Sequence, residues 1–172
     1  MGMNILIAED EKDLLDQYLV ALEEKGHSVI TCTTGDECIR IYEIELKNMG
    51  ESNTVNSPFD VVVLDYHMPV KNGLEVAHEI LKANPHQRII FASGYVQETF
   101  LESVMQLKQM IEIMKKPFSL QALVDTVEDK EIYLKLEKLN VDVSTIKDLH
   151  LSHAQIKTYF DILSELQKRR TF

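Results

Sequence analysis

Five short apolar runs alternate with five segments of helical periodicity, and that rhythm leaves few folds open to the chain. The runs are Asn4–Ala8, Ser28–Cys32, Val61–Asp65, 88–93 and 111–114. The third is unbroken, Val61-Val62-Val63-Leu64, and ends on Asp65. A run without polar alternation marks a strand covered on both faces, as in parallel sheets. Between the runs, 12–25, 35–47, 74–83, 96–109 and a segment from Leu120 space their apolar residues helically, with Gly26 and Asn84-Pro85 as stops. Such alternation predicts βαβ units, hence an α/β fold with a five-stranded parallel sheet, doubly wound, and helices on both faces.

Right-handed crossovers bring the carboxyl end of every strand to one edge of the sheet, where ligands collect. The residues that close the runs therefore meet: Glu9-Asp10-Glu11 after the first, Asp65 in the third, Ser93-Gly94 after the fourth, and Lys116-Pro117 after the fifth. Taken alone, Glu9-Asp10 reads as a helix start before Lys12, and Ser93 as a turn hydroxyl. Together they make a site. Crowded carboxylates repel unless a cation neutralises them. Hard oxygen donors supplemented by water suit Mg²⁺ better than zinc or copper. A lone Asp facing Mg²⁺ and a lysine is equipped to accept a phosphoryl group.

Charge narrows the function classes further. The net charge is −10, and all of it lies in residues 1–127, which hold 20 acids against 10 Lys and Arg. Binding to nucleic acid or an anionic membrane needs a positive field, so neither partner is expected. No apolar stretch approaches the roughly 20 residues of a membrane span. Cys32 and Cys38 lack a disulfide-framework or zinc spacing, and a cytoplasmic location is expected.

The four motifs, in this order, resemble the receiver domain of two-component response regulators. Ile-Leu-Ile-Ala-Glu9-Asp10-Glu11 is similar to its acidic start. Leu-Asp65-Tyr-His-Met68-Pro69-Val-Lys-Asn-Gly73 is similar to its phosphoacceptor strand and loop. Phe-Ala-Ser93-Gly94-Tyr95 and Lys116-Pro117-Phe118 are similar to its switch hydroxyl and its lysine, with a cis-proline neighbour. The resemblance implies a flavodoxin-like (βα)5 fold for residues 1–127. It implies that a partner histidine kinase, or a phosphotransfer protein, phosphorylates Asp65. Asp10, Asp65 and the backbone carbonyl of His67 would ligate Mg²⁺, with Glu9 acting mostly through water. Ser93 and Lys116 would then hold the phosphoryl oxygens, and Tyr95 would flank an entrance left open by Gly94.

The sequence departs from the family at three places. Glu9 stands where Asp is commoner, Ile113 occupies the usual aromatic switch position, and the segment 48–57 lengthens the span between Asp10 and Asp65 by about a dozen residues. Ile113 also supports an alternative, a phosphorylation-independent pseudo-receiver serving as an interaction module. A weaker alternative is an Asp-nucleophile phosphohydrolase, which wants an acid where His67 stands. No role as an enzyme on an outside substrate is expected. His27, His78, His86, His150 and His153 have no ligand-like spacing.

Residues 128–172 are expected to form a helical extension, with 128–139 continuing the fifth helix and Ser144 or Ser152 capping another. Leu149, Ile156, Tyr159, Phe160, Leu163 and Leu166 recur at helical spacing. That apolar face serves packing on the receiver, or else a homodimer or a downstream protein. The segment is neutral overall and shows no helix pair with a basic recognition face, so output by protein contact rather than DNA binding is expected.

Overall fold

Strand β3 (Val61–Asp65) lies at the centre of a five-stranded parallel sheet of order β2-β1-β3-β4-β5. The others are β1 (Asn4–Ala8), β2 (Ser28–Cys32), β4 (Ile89–Ser93) and β5 (Ile111–Lys115). The structure is a computed structural model that describes residues 2–50, 57–94, 98–105, 107, 111–129, 132–139, 141 and 153–170. Val61 to Leu64 are at most 1% exposed, and burial of each such side chain contributes roughly 1.5–3 kcal/mol. The doubly wound fold predicted from the alternation is the one observed.

Helices α1 (Lys12–Glu23), α2 (Gly35–Asn48), α3 (Gly73–Ala83) and α4 (Glu98–Met105) connect the strands. The strand pleat divides the core between the two faces. Leu6, Ala8, Val62, Leu64 and Phe91 join Cys38 and Tyr42 of α2, Val76 and Ile80 of α3, and Phe100 of α4 in one cluster. Helix α1 buries Leu15, Tyr18 and Leu22 at helical spacing and ends before Gly26, whose φ of 83° suits a residue without Cβ.

The chain divides into two compact units, Met1–Leu120 and Gln121–Phe172, while α5 spans Leu120–Glu128. In the second unit, α6 (Ile132–Lys138) is a separate helix and packs on α7 (His153–Arg170). The expected continuation of the fifth helix through 139 is not what the structure assigns: α5 ends at Glu128, and Ile132–Lys138 is a helix of its own. The tail's apolar stripe also splits. Ile156 is buried and Phe160 and Leu163 are half-buried, whereas Tyr159 and Leu166 are exposed, as is Ile162, which is not part of the stripe. Leu149, His150 and the caps at Ser144 and Ser152 lie outside the described residues, as do 51–56 of the long loop. Among the described residues, no helix is long and apolar enough to cross a membrane.

Candidate functional site

Register alone brings the acids together. Ala8 pairs with Leu64, so Glu9 and Asp65 stand side by side at the carboxyl edge of β1 and β3. Asp65 pairs with Ala92 on the other side, which places Ser93 one residue further along β4. Ser93 pairs with Lys115 of β5, and the backbone N–H of Lys116 donates to the Ser93 carbonyl at 2.8 Å. Four of the residues singled out in the sequence, Glu9, Asp65, Ser93 and Lys116, therefore occupy one edge.

Lys116 centres the site. Its ammonium donates to Glu9 Oε2 at 2.6 Å and to Asp65 Oδ1 at 3.0 Å. Glu9 is 2% exposed and Asp65 5%, whereas Asp10 is exposed. Burial pushes the Glu9 carboxyl above its ordinary range; the Lys116 hydrogen bond opposes this, and the Asp65 charge adds to it. Burial works against the charged Lys116, but its hydrogen bonds to Glu9 and Asp65 outweigh that cost and raise its pKa.

The loop after β3 is shaped to keep Asp65 in place. Met68 tucks inward at 7% exposure, and Val70 takes a φ of 69° while remaining exposed. Asn72 and Glu75 form a reciprocal capping box that starts α3 (3.0 and 2.9 Å). Gly73 donates to the Tyr66 carbonyl at 3.0 Å, and a Cβ there would collide with the backbone carbonyl of Asp65. Only glycine permits that approach.

The donor set fits a hard divalent cation. One carboxylate oxygen from each of Glu9, Asp10 and Asp65 lies within 4.8 Å of the other two. Three carboxylates against one ammonium leave the cluster formally at −2, the charge a divalent ion would cancel.

His67 lies two residues beyond Asp65, with its ring exposed and edge-on to Tyr66 (centroids 4.7 Å apart). Among the described residues, nothing stands near where a Cβ on Gly94 would lie. Tyr95 lies outside the described residues. Ile113 is half-buried against the core cluster on the α2–α4 side of the sheet. Tyr18 is buried on α1, and nothing in the sequence alone connects it to the site. Its ring stacks on Phe118, two residues after Lys116, with centroids 5.7 Å apart and planes 19° from parallel.

Comparison with known proteins agrees with the fold. The family profile described as "Response regulator receiver domain" matches residues 5–128. The sensor kinase CckA of Brucella abortus is 29% identical over 125 residues, 73% of this chain and 12% of that protein. The response regulator SaeR of Staphylococcus aureus is 26% identical over 152 residues, 85% of this chain and 60% of that protein. The chain thus spans less than two thirds of either relative. A solved response regulator receiver domain from Clostridium thermocellum superposes with a TM-score of 0.63 at 26% identity, covering 80% of this chain and 99% of that one.

Proposed function

The chain belongs to the response regulator receiver domain family, and on that premise we propose that Asp65 accepts a phosphoryl group from the phosphohistidine of a histidine kinase or phosphotransfer protein. The observation that carries this reading is the Lys116 ammonium shared between Glu9 and Asp65 at the edge where three carboxylates converge. The lysine supplies a fixed positive charge beside the carboxylate that must attack.

In the reaction, an Asp65 oxygen attacks phosphorus, the bond from phosphorus to the donor's imidazole nitrogen breaks, and an acyl phosphate forms on Asp65. Lys116 exchanges its contact with Asp65 for a phosphoryl oxygen, and the Ser93 hydroxyl donates to another. Glu9, Asp10, Asp65 and the His67 backbone carbonyl would hold Mg²⁺, which when bound neutralises charge on the transferring oxygens. The buried flanks of Glu9 and Asp65 exclude water from one side of the nucleophile.

Output passes through protein contacts in the cytoplasm, a reading supported by the acidic charge of residues 1–127 and the neutral balance of 128–172. Division of labour between a receiver (1–127) and a helical extension (128–172) is part of this reading, with the exposed Tyr159, Ile162 and Leu166 available to a downstream protein or a second copy. Ile113 favours a second reading, a constitutive interaction module.

Intact mass measured after incubation with Mg²⁺ and a small phosphodonor separates them. A phosphoryl adduct that disappears in Asp65→Ala is expected. No adduct, or one that survives the substitution, overturns the phosphorylation reading.

A further inference from the structure

Lys116 has four rotatable side-chain bonds, yet the site needs its ammonium at one place. On one side its backbone N–H is tied to Ser93 by a 2.8 Å hydrogen bond. On the other, the chain runs through Pro117 to Phe118, whose ring lies on Tyr18 at 5.7 Å, nearly parallel. Tyr18 is 3% exposed and belongs to α1, the helix that starts two residues after Asp10. One helix therefore follows the acids of the site and presents the ring that seats the lysine's segment.

We infer that Tyr18 is a positioning residue: its stack on Phe118 sets the Lys116 ammonium against Glu9 and Asp65. The inference rests on the phosphoacceptor reading for its consequence in rate, though not for its consequence in geometry. A stacked aromatic pair is worth more than its buried area alone, so it holds the segment more firmly than an aliphatic contact of the same area. Burial first, and then the charges of Glu9, Asp65 and Glu11, push the phenol above its ordinary pKa, so it stays neutral and adds no charge to the acidic site. The ring is the working part. Phenylalanine is thus expected to replace tyrosine, and leucine to fail.

The test compares Tyr18→Leu with Tyr18→Phe, using Tyr42→Leu as a buried tyrosine truncation remote from the site. Phosphorylation rate at saturating Mg²⁺ and a small phosphodonor, Mg²⁺ affinity, and the Nζ resonance of Lys116 in 15N-lysine-labelled, metal-free protein are measured on each folded variant. Tyr18→Leu is expected to slow phosphorylation about ten-fold, leave the Mg²⁺ Kd within about two-fold, and shift the Nζ resonance toward that of a free lysine. Tyr18→Phe restores both rate and resonance, and Tyr42→Leu lowers stability without moving either.

An unchanged rate and resonance in Tyr18→Leu overturns the inference, as does a parallel loss of Mg²⁺ affinity, which would place the effect on the acids. If Tyr18→Leu does not fold, Phe118→Leu removes the same stack from the other side and decides by the same criteria. If the wild-type chain takes no phosphoryl group at all, the function reading fails, and the Nζ resonance alone decides this one.

Discussion

Lys116 approaches Glu9 more closely than Asp65, 2.6 Å against 3.0 Å, although Glu9 lies 107 residues away in the chain. The extra methylene of Glu9 lets a carboxylate at the end of β1 reach across to a lysine at the end of β5. The pair links strands that are not neighbours in the sheet, and it leaves Asp65 as the weaker of two partners for one ammonium. Under the proposed function, that asymmetry suits a lysine that would release Asp65 to a phosphoryl oxygen.

Lys116→Met removes the counter-charge from two buried carboxylates. Such a deletion costs about 3 kcal/mol when no other cation is present, less here because the lysine is 19% exposed. The variant is expected to melt several degrees below wild type in EDTA and to recover most of that loss in Mg²⁺, giving a larger Mg²⁺-induced rise in Tm than wild type shows. Equal rises in both proteins would exclude a shared ion site at these carboxylates.

Glu9 and Lys116 predict opposite ends of a metal-free pH profile. The native Glu9 carboxyl holds its proton above the ordinary value of 4.5, so the native state binds more protons, and stability from this group falls as pH rises from 4.5 through the raised pKa. Glu9→Gln removes that descent. Its stability relative to wild type should therefore grow as pH rises through this window in urea titrations, and a constant difference contradicts the assignment. Lys116 is raised above 10.5; its contribution is complete below 10.5 and is lost as pH climbs through the raised value.

Gly73→Ala sets a methyl against the carbonyl of Asp65, a backbone atom that cannot rotate aside. The expected cost is about 2–3 kcal/mol, read as a loss of roughly 6 °C in Tm for a chain of this size. Phosphorylation should slow as well, since relief requires Asp65 itself to move. A variant with native Tm and native rate would show that the loop yields without cost.

Arg88 and Glu112 form a buried pair at the opposite end of the sheet, with contacts of 2.9 and 2.6 Å to one carboxylate oxygen. Their side chains are 10% and 6% exposed. Arg88→Met strips a buried carboxylate of its arginine and is expected to cost about 3 kcal/mol in chemical denaturation. The double variant Arg88→Met, Glu112→Leu should recover at least half of it. Failure of the second substitution to recover stability would mean that the arginine contributes by packing its stem rather than by its charge.

What the sequence by itself determined was local and periodic. Apolar runs of period two or none, helical spacing between them and the breakers at Gly26 and Asn84-Pro85 specify five strand–helix units, and chirality then carries Glu9, Asp10, Asp65, Ser93 and Lys116 to one edge. These features depend on neighbours a few residues apart, which is why they were legible. Tertiary structure decided what is joined across long separations: the Glu9–Lys116 pair, the seat of Phe118 on Tyr18, and the approach of Gly73 to Asp65. It also divided the stripe of α7 into a packed side and an exposed one, because spacing says which residues share a helix face but not how much of that face another helix covers. Pairing and coverage depend on the shape of the partner surface, and no periodicity within one segment encodes that shape.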